Sequence, residues 1–295
     1  MFKTTLAVAL MACLLFASSA GAAPAFQPTR FSVDVRGSGP DVLLIPGLAS
    51  SREVWTDTAR RFGAGRRLHL IQVAGFGGLP AGPNAEGPLL QPLVEELHRY
   101  LADRGLSHVA VIGHSMGGLI GLMLAKAHPE DVGRLMVVDA LPFYALVFSP
   151  AATAASVEPI AAQLRDNTLA MTPEAFAQVE AQTVARLSRS PDGQKAALAW
   201  ALASDRRVLA RASYEDITTD VRGDLSAIRA PVTVLYAWDP AMGPAEAVDG
   251  LYAGAYAALP DKTLARIDAS FHFIPLDQPA AFAAKVQAFL DRAPK

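Results

Sequence analysis

The sequence predicts an α/β fold, a mostly parallel sheet flanked by helices, and three observations carry that prediction. Four short aliphatic runs, VLLIPG after Asp41, LHLIQV at 68–73, HVAVIG from His108 and LMVVDA at 135–140, are apolar nearly throughout. Strands covered by helices on both faces read this way, whereas half-exposed strands alternate. Between the runs, apolar residues recur at helical spacing, as at Leu90, Leu93, Val94, Leu97 and Leu101. Finally, in VIGHSMGGL (111–119) a lone serine, Ser115, stands between Gly113 and Gly117 where strand-like sequence gives way to helix-like sequence.

Taken in order, the run after Asp41 is stopped by Pro46-Gly47, and LHLIQV ends in the glycine-rich AGFGG. The segment around 90–101 is a helix with Pro92 tolerated in its first turn. HVAVIG leads into Ser115, and GLIGLMLAKAH follows as a buried helix stopped by Pro129. From about Leu141 to Ile228 the texture becomes alanine-rich and helical, with Phe176, Val179 and Leu187 placed after the capping triplet Thr172-Pro173-Glu174. This stretch reads as a helical lid inserted after the strand at 135–140. VTVLYAWD (232–239) and TLARIDA (263–269) restore strands, and Phe282, Val286, Phe289 and Leu290 mark a final helix.

The first 22 residues differ from the rest. They carry Lys3, an uncharged apolar stretch from Leu6 to Ala17 and the small-residue exit Ala20-Gly21-Ala22, the layout of a secretory signal peptide. The apolar stretch is short for a membrane span, which needs about 20 residues. The reading is therefore a signal peptide at 1–22, a single domain at 23–295 with its lid at about 141–228, and a periplasmic or secreted location without stable membrane insertion. Cys13, the only cysteine, falls within the removed segment, so the mature chain has no disulfide. Lys plus Arg total 26 against 28 Asp plus Glu, and no basic stripe suits nucleic acid. The six histidines stand apart, without HxH, HExxH or cysteine pairs, so no metal site is expected.

Gly-His-Ser-Met-Gly (113–117), placed after a strand and before a helix, has the pattern of a nucleophile elbow. In such a turn the serine adopts a strained conformation, and side chains at the two glycines would collide with the neighbouring strand and helix. A serine hydroxyl needs a base, and the base needs an orienting acid. His272, just after the last strand, is the candidate base. Asp239 and Asp139 both close strands and compete for the acid, with Asp268 a distant third; Asp239 is favoured because the order Ser, Asp, His with a short final gap suits the motif. Oxyanion donors are expected from the backbone N–H groups of Met116 and Leu48. Phe143 and Tyr144, with Phe176, are expected to wall a pocket for apolar groups.

These motifs, with Asp239-Pro240 and Phe271-His272-Phe273, resemble the α/β-hydrolase superfamily, and specifically its lid-bearing serine esterase-like branch of exported bacterial proteins. The likeness runs from about Phe31 to Leu290. It implies Ser115 as nucleophile, His272 as base, Asp239 as acid, and Met116 and Leu48 as oxyanion donors. It also implies a small-molecule ester as substrate and no cofactor; lactonase, thioesterase, peptidase or non-catalytic binding roles use the same layout. The sequence departs from the pattern at Pro46-Gly47, at Gln72–Gly77 and at Tyr236-Ala237-Trp238, where many relatives have a glycine three residues before the aspartate. The last departure keeps Asp139 open.

Overall fold

A computed structural model describes residues 26–292; the proposed signal peptide at 1–22 lies outside them. Seven strands form one sheet in the order β1-β3-β2-β4-β5-β6-β7. They are β1 (Phe31–Arg36), β2 (Asp41–Ile45), β3 (Arg67–Val73), β4 (Val109–His114), β5 (Val132–Val138), β6 (Val232–Trp238) and β7 (Lys262–Asp268). All neighbours pair in parallel except β1, which runs antiparallel to β3. The six parallel strands match the predicted runs. The edge strand β1, FSVDVR, is an addition: only Phe31 is fully buried there, so it lacks the apolar continuity that marks the others.

Successive residues of the central strands enter opposite cores. Leu43, Ile45, Val111, Leu135 and Val137 belong to one buried cluster, and Val42, Leu44, Ile112, Met136 and Val138 to the other. The first core is closed by α2 (Leu90–Asp103) and α3 (Met116–Ala127), the second by α1 (Thr56–Phe62) and the C-terminal α10 (Pro279–Asp291). Each Leu or Ile so buried contributes about 1.5–3 kcal/mol.

The region read as a helical insertion holds α4 (Ala154–Ala170), α5 (Pro173–Leu187), α6 (Pro191–Leu202) and α7 (Arg206–Thr218) between β5 and β6. Each starts at a side-chain cap, supplied by Thr153, Thr172, Ser190 and Asp205 in turn. Two further helices, α8 (Ala245–Ala255) and the short α9 (Ile274–Asp277), flank β7 in sequence. Among the described residues, no helix is long and apolar enough to cross a membrane.

The chain leaves β2 toward β3 on one side and leaves β4 toward β5 on the other, so a crevice opens between the carboxyl ends of β2 and β4. In open parallel sheets this reversal point is where ligands bind.

Candidate active site

Ser115 occupies that crevice. It follows β4 directly, caps α3, and has φ 54° and ψ −128°, the left-handed region that a non-glycine residue enters at a cost of about 1–3 kcal/mol. The flanking glycines are demanded by contact. A Cβ on Gly113 would lie 2.1 Å from the Gly117 carbonyl oxygen, and one on Gly117 would lie 2.3 Å from the carbonyl oxygen of Ile45. Packing thus enforces the turn and leaves Ser115 partly exposed at the sheet edge.

The loop after β2 passes against this elbow. A Cβ on Gly47 would sit 2.8 Å from Ser115 Cβ, so only glycine lets Leu48 follow so closely. Met116 opens α3, and its N–H has no carbonyl one turn earlier to bond. The Leu48 N–H donates no hydrogen bond among the described residues. Two unengaged backbone donors therefore flank the serine, the arrangement an oxyanion requires.

His272 lies on the loop between β7 and α9, with its side chain 21% exposed. Its Nδ1 is 2.7 Å from Asp139 Oδ2. A carboxylate only accepts, so Nδ1 carries the proton and Nε2 the lone pair. Asp139 closes β5 with φ 49° and is held by further bonds to its other oxygen, from the Ala237 N–H (2.8 Å) and the Tyr252 hydroxyl (3.1 Å). The carboxylate against the imidazole is therefore Asp139, which corrects the placement expected for Asp239. Asp239 instead accepts from the Ala241 N–H at 2.9 Å and pairs with Arg189 Nη1 at 3.2 Å. That arginine comes from the turn between α5 and α6 and draws Asp239 into another network.

His114, directly before Ser115, turns toward the histidine loop. Its Nε2–H donates to the His272 carbonyl at 3.0 Å, and the two rings are 4.6 Å apart. Its Nδ1 has no partner among the described residues. Burial, then the neighbouring His272, pushes its pKa down to about 3, so it stays neutral as a positioning group. The loop is also fixed by Asp277, which accepts from the Phe271 N–H (2.8 Å), the Ser188 hydroxyl (2.6 Å) and the Arg189 N–H (3.0 Å). Asp277 and Tyr252 escaped the sequence reading, since no local motif marks either of them.

The predicted pocket wall divides. Tyr144 is 41% exposed and meets Phe148 edge-on at 5.7 Å, but Phe143 is fully buried with Arg222 over its ring at 4.8 Å, and Phe176 is buried under Arg206. Phe143 and Phe176 therefore fasten the helices rather than line an open wall. The Gln72–Gly77 departure serves the same docking. Gln72 ties the 50–52 loop to Phe76, and the α6–α7 turn is held by the Gly75 carbonyl, which accepts from the Asp205 N–H, and by the Gly77 N–H, which donates to Ser204 Oγ.

A family profile described as the alpha/beta hydrolase family matches residues 42–285. The chain belongs to this family. A pimeloyl-[acyl-carrier protein] methyl ester esterase of Aromatoleum aromaticum is 30% identical over 84% of this chain and 97% of its own. A putative carbamate hydrolase RutD of Cronobacter turicensis is 33% identical over 34% of this chain and 37% of its own. Among solved structures, a thermophilic esterase from Thermogutta terrifontis superposes with a TM-score of 0.74 at 18% identity, covering 90% of this chain and 94% of its own. The enol-lactonase of Burkholderia xenovorans superposes at 0.69 and 18% identity, covering 88% and 96%. Likeness at that identity concerns the fold of this α/β hydrolase.

Proposed function

We propose that this α/β hydrolase cleaves carboxylic esters of fairly apolar small molecules through an acyl-serine intermediate. One observation carries the reading: a strained serine beside two open N–H groups, and a histidine, tied through its carbonyl to the residue before that serine, whose Nδ1 proton is held by a part-buried carboxylate. Ser115 Oγ attacks the carbonyl carbon while His272 Nε2 takes its proton. Asp139 fixes the tautomer and stabilises the imidazolium, and the N–H groups of Met116 and Leu48 hold the oxyanion. His272 returns the proton to the leaving alcohol. Water, deprotonated by the same nitrogen, then releases the acid and regenerates Ser115.

Ser115 Oγ and His272 Nε2 make no hydrogen bond among the described residues, and such bonds are commonly loose before substrate arrives. The α4–α7 helices act as the lid, and Tyr144 with Phe148 offers apolar contact at its base. The methyl ester specificity named for the Aromatoleum relative supports a small alcohol as leaving group. The signal-like segment at 1–22 supports export to the periplasm or medium.

A panel of matched ester, lactone, thioester and amide substrates, assayed beside fluorophosphonate labelling, tests the reading. Wild type should turn over the ester fastest and take the label, and Ser115→Ala should do neither. Labelling retained by Ser115→Ala, or no turnover across the panel, would overturn it.

A further inference from the structure

Away from the crevice, packing of α2 on α3 gathers a second group of side chains. His98 from α2 and His128, which caps the C-terminus of α3, stack face to face with centroids 3.8 Å apart and planes 7° apart. They stand 30 positions apart in the chain, so sequence spacing had spoken against any metal motif. Asp131 Oδ2 lies 2.9 Å from His98 Nδ1, and Glu130 Oε1 lies 4.0 Å from His98 Nδ1 and 3.7 Å from His128 Nδ1. Glu95 Oε2 sits 3.3 Å from His128 Nε2.

We propose that His98, His128 and Asp131, with Glu130 able to supply a fourth ligand, bind a divalent transition metal ion of the zinc class. One ligand atom from each of the first three lies within 4.8 Å of the others. Ligands of a tetrahedral zinc site with bonds of about 2.0–2.1 Å stand roughly 3.4 Å apart, so closure takes about an ångström of side-chain movement. His98 and Glu130 have room for it, with side chains 29% and 56% exposed.

The donor set selects the ion. Imidazole nitrogen with carboxylate oxygen suits zinc and its neighbours, whereas calcium and magnesium take oxygen ligands alone. Charge balance points the same way. Among the described residues, Glu95, Glu130 and Asp131 form no ion pair with Lys or Arg, and Asp131 is buried with a side chain only 3% exposed. A cation held among these acids offsets the local negative charge. The Asp131 and Glu130 carbonyls accept from the N–H groups of Val109 and His108, which sets the cluster at the amino end of β4. Ser115 follows the carboxyl end of that six-residue strand, roughly 20 Å away at about 3.3 Å per residue. The ion would therefore clamp α2 to the α3–β5 turn and take no part in ester cleavage.

The test uses the full chain, free of any histidine tag and stripped with chelator, titrated calorimetrically with Zn²⁺ and followed by thermal melting. Wild type should bind one Zn²⁺ per chain and melt higher when loaded. His98→Ala and His128→Ala should each weaken binding at least 100-fold and abolish the rise in Tm, while His272→Ala should keep both. Glu130→Gln, at an exposed position that leaves the core untouched, should weaken binding about tenfold. Unchanged stoichiometry and affinity in folded His98→Ala/His128→Ala, or no saturable binding by wild type at 100 µM Zn²⁺ (about 10⁻⁴ M, weaker than any structural site), would overturn the proposal. Because none of these readouts is ester turnover, their failure stands apart from failure of the serine chemistry.

Discussion

Replacing Asp139 by Asn should nearly abolish turnover, and the structure sets the size of the loss. The carboxylate lies 2.7 Å from His272 Nδ1 and its side chain is 12% exposed, so its interaction with an imidazolium is only partly screened. With charge centres about 4 Å apart and an effective dielectric near 20, the attraction is about 4 kcal/mol, roughly a thousandfold in rate. Asn adds a second penalty, because its NH₂ group donates to Nδ1 and imposes the tautomer that places the proton on Nε2. Together these predict a fall of about 10⁴-fold in kcat, the scale seen when a triad carboxylate is amidated elsewhere. Asp239→Asn should behave differently. Its Oδ1 can still accept from Ala241, and the Arg189 pair is partly exposed, so the change should stay within tenfold in rate and about 1 kcal/mol in stability. The assay is kcat for a short-chain p-nitrophenyl ester at pH 8, with circular dichroism confirming that both variants fold. If Asp239→Asn loses activity as deeply as Asp139→Asn, the assignment of the acid is refuted.

Other outcomes are expected. Gly47→Ala would force a Cβ to 2.8 Å from Ser115 Cβ and displace the Leu48 N–H; kcat should fall by about 10²-fold or more, the cost of one oxyanion donor, with substrate binding little changed. His114 is neutral in the folded protein down to about pH 3 but binds a proton near 6.5 when unfolded, so the folded state holds fewer protons between those limits. Stability should accordingly decline on acidification below pH 6.5, by about 1.4 kcal/mol per pH unit from this group, and urea melts of His114→Gln should show a shallower decline. Asp216, on α7, keeps part of its surface accessible yet is ringed by protein, and burial pushes its carboxyl up to about 7 against the nearby His272, which lowers it. Its contribution to stability is full below pH 3.8 and lost as pH rises through 7, so Asp216→Asn should raise Tm relative to wild type at pH 8.5 but not at pH 4. Phe148 is 63% exposed, so Phe148→Ala should alter stability by no more than about 0.5 kcal/mol. The same change should raise KM for a hexanoate ester up to about tenfold while sparing an acetate ester, the effect of losing about 1.4 kcal/mol of apolar contact; equal effects on both substrates would remove Phe148 from the acyl pocket.

The sequence alone determined what depends on neighbours along the chain. Buried parallel strands announce themselves by unbroken apolar runs, which is why β2 to β7 were legible and the half-exposed β1 was not. The elbow was legible because Gly113 and Gly117 are required within two residues of the strained serine, and His272 because it follows the last strand. Tertiary structure decided whatever turns on side-chain direction. Asp139 and Asp239 both close strands of one sheet, and only the backbone turn at φ 49° and the capture of Asp239 by Arg189, 50 residues away, separate them. The burial of Phe143, the bond from His114 to the His272 carbonyl and the stacking of His98 on His128 are likewise contacts across the fold. No local pattern encodes them, because each depends on how separately formed elements come to lie against one another.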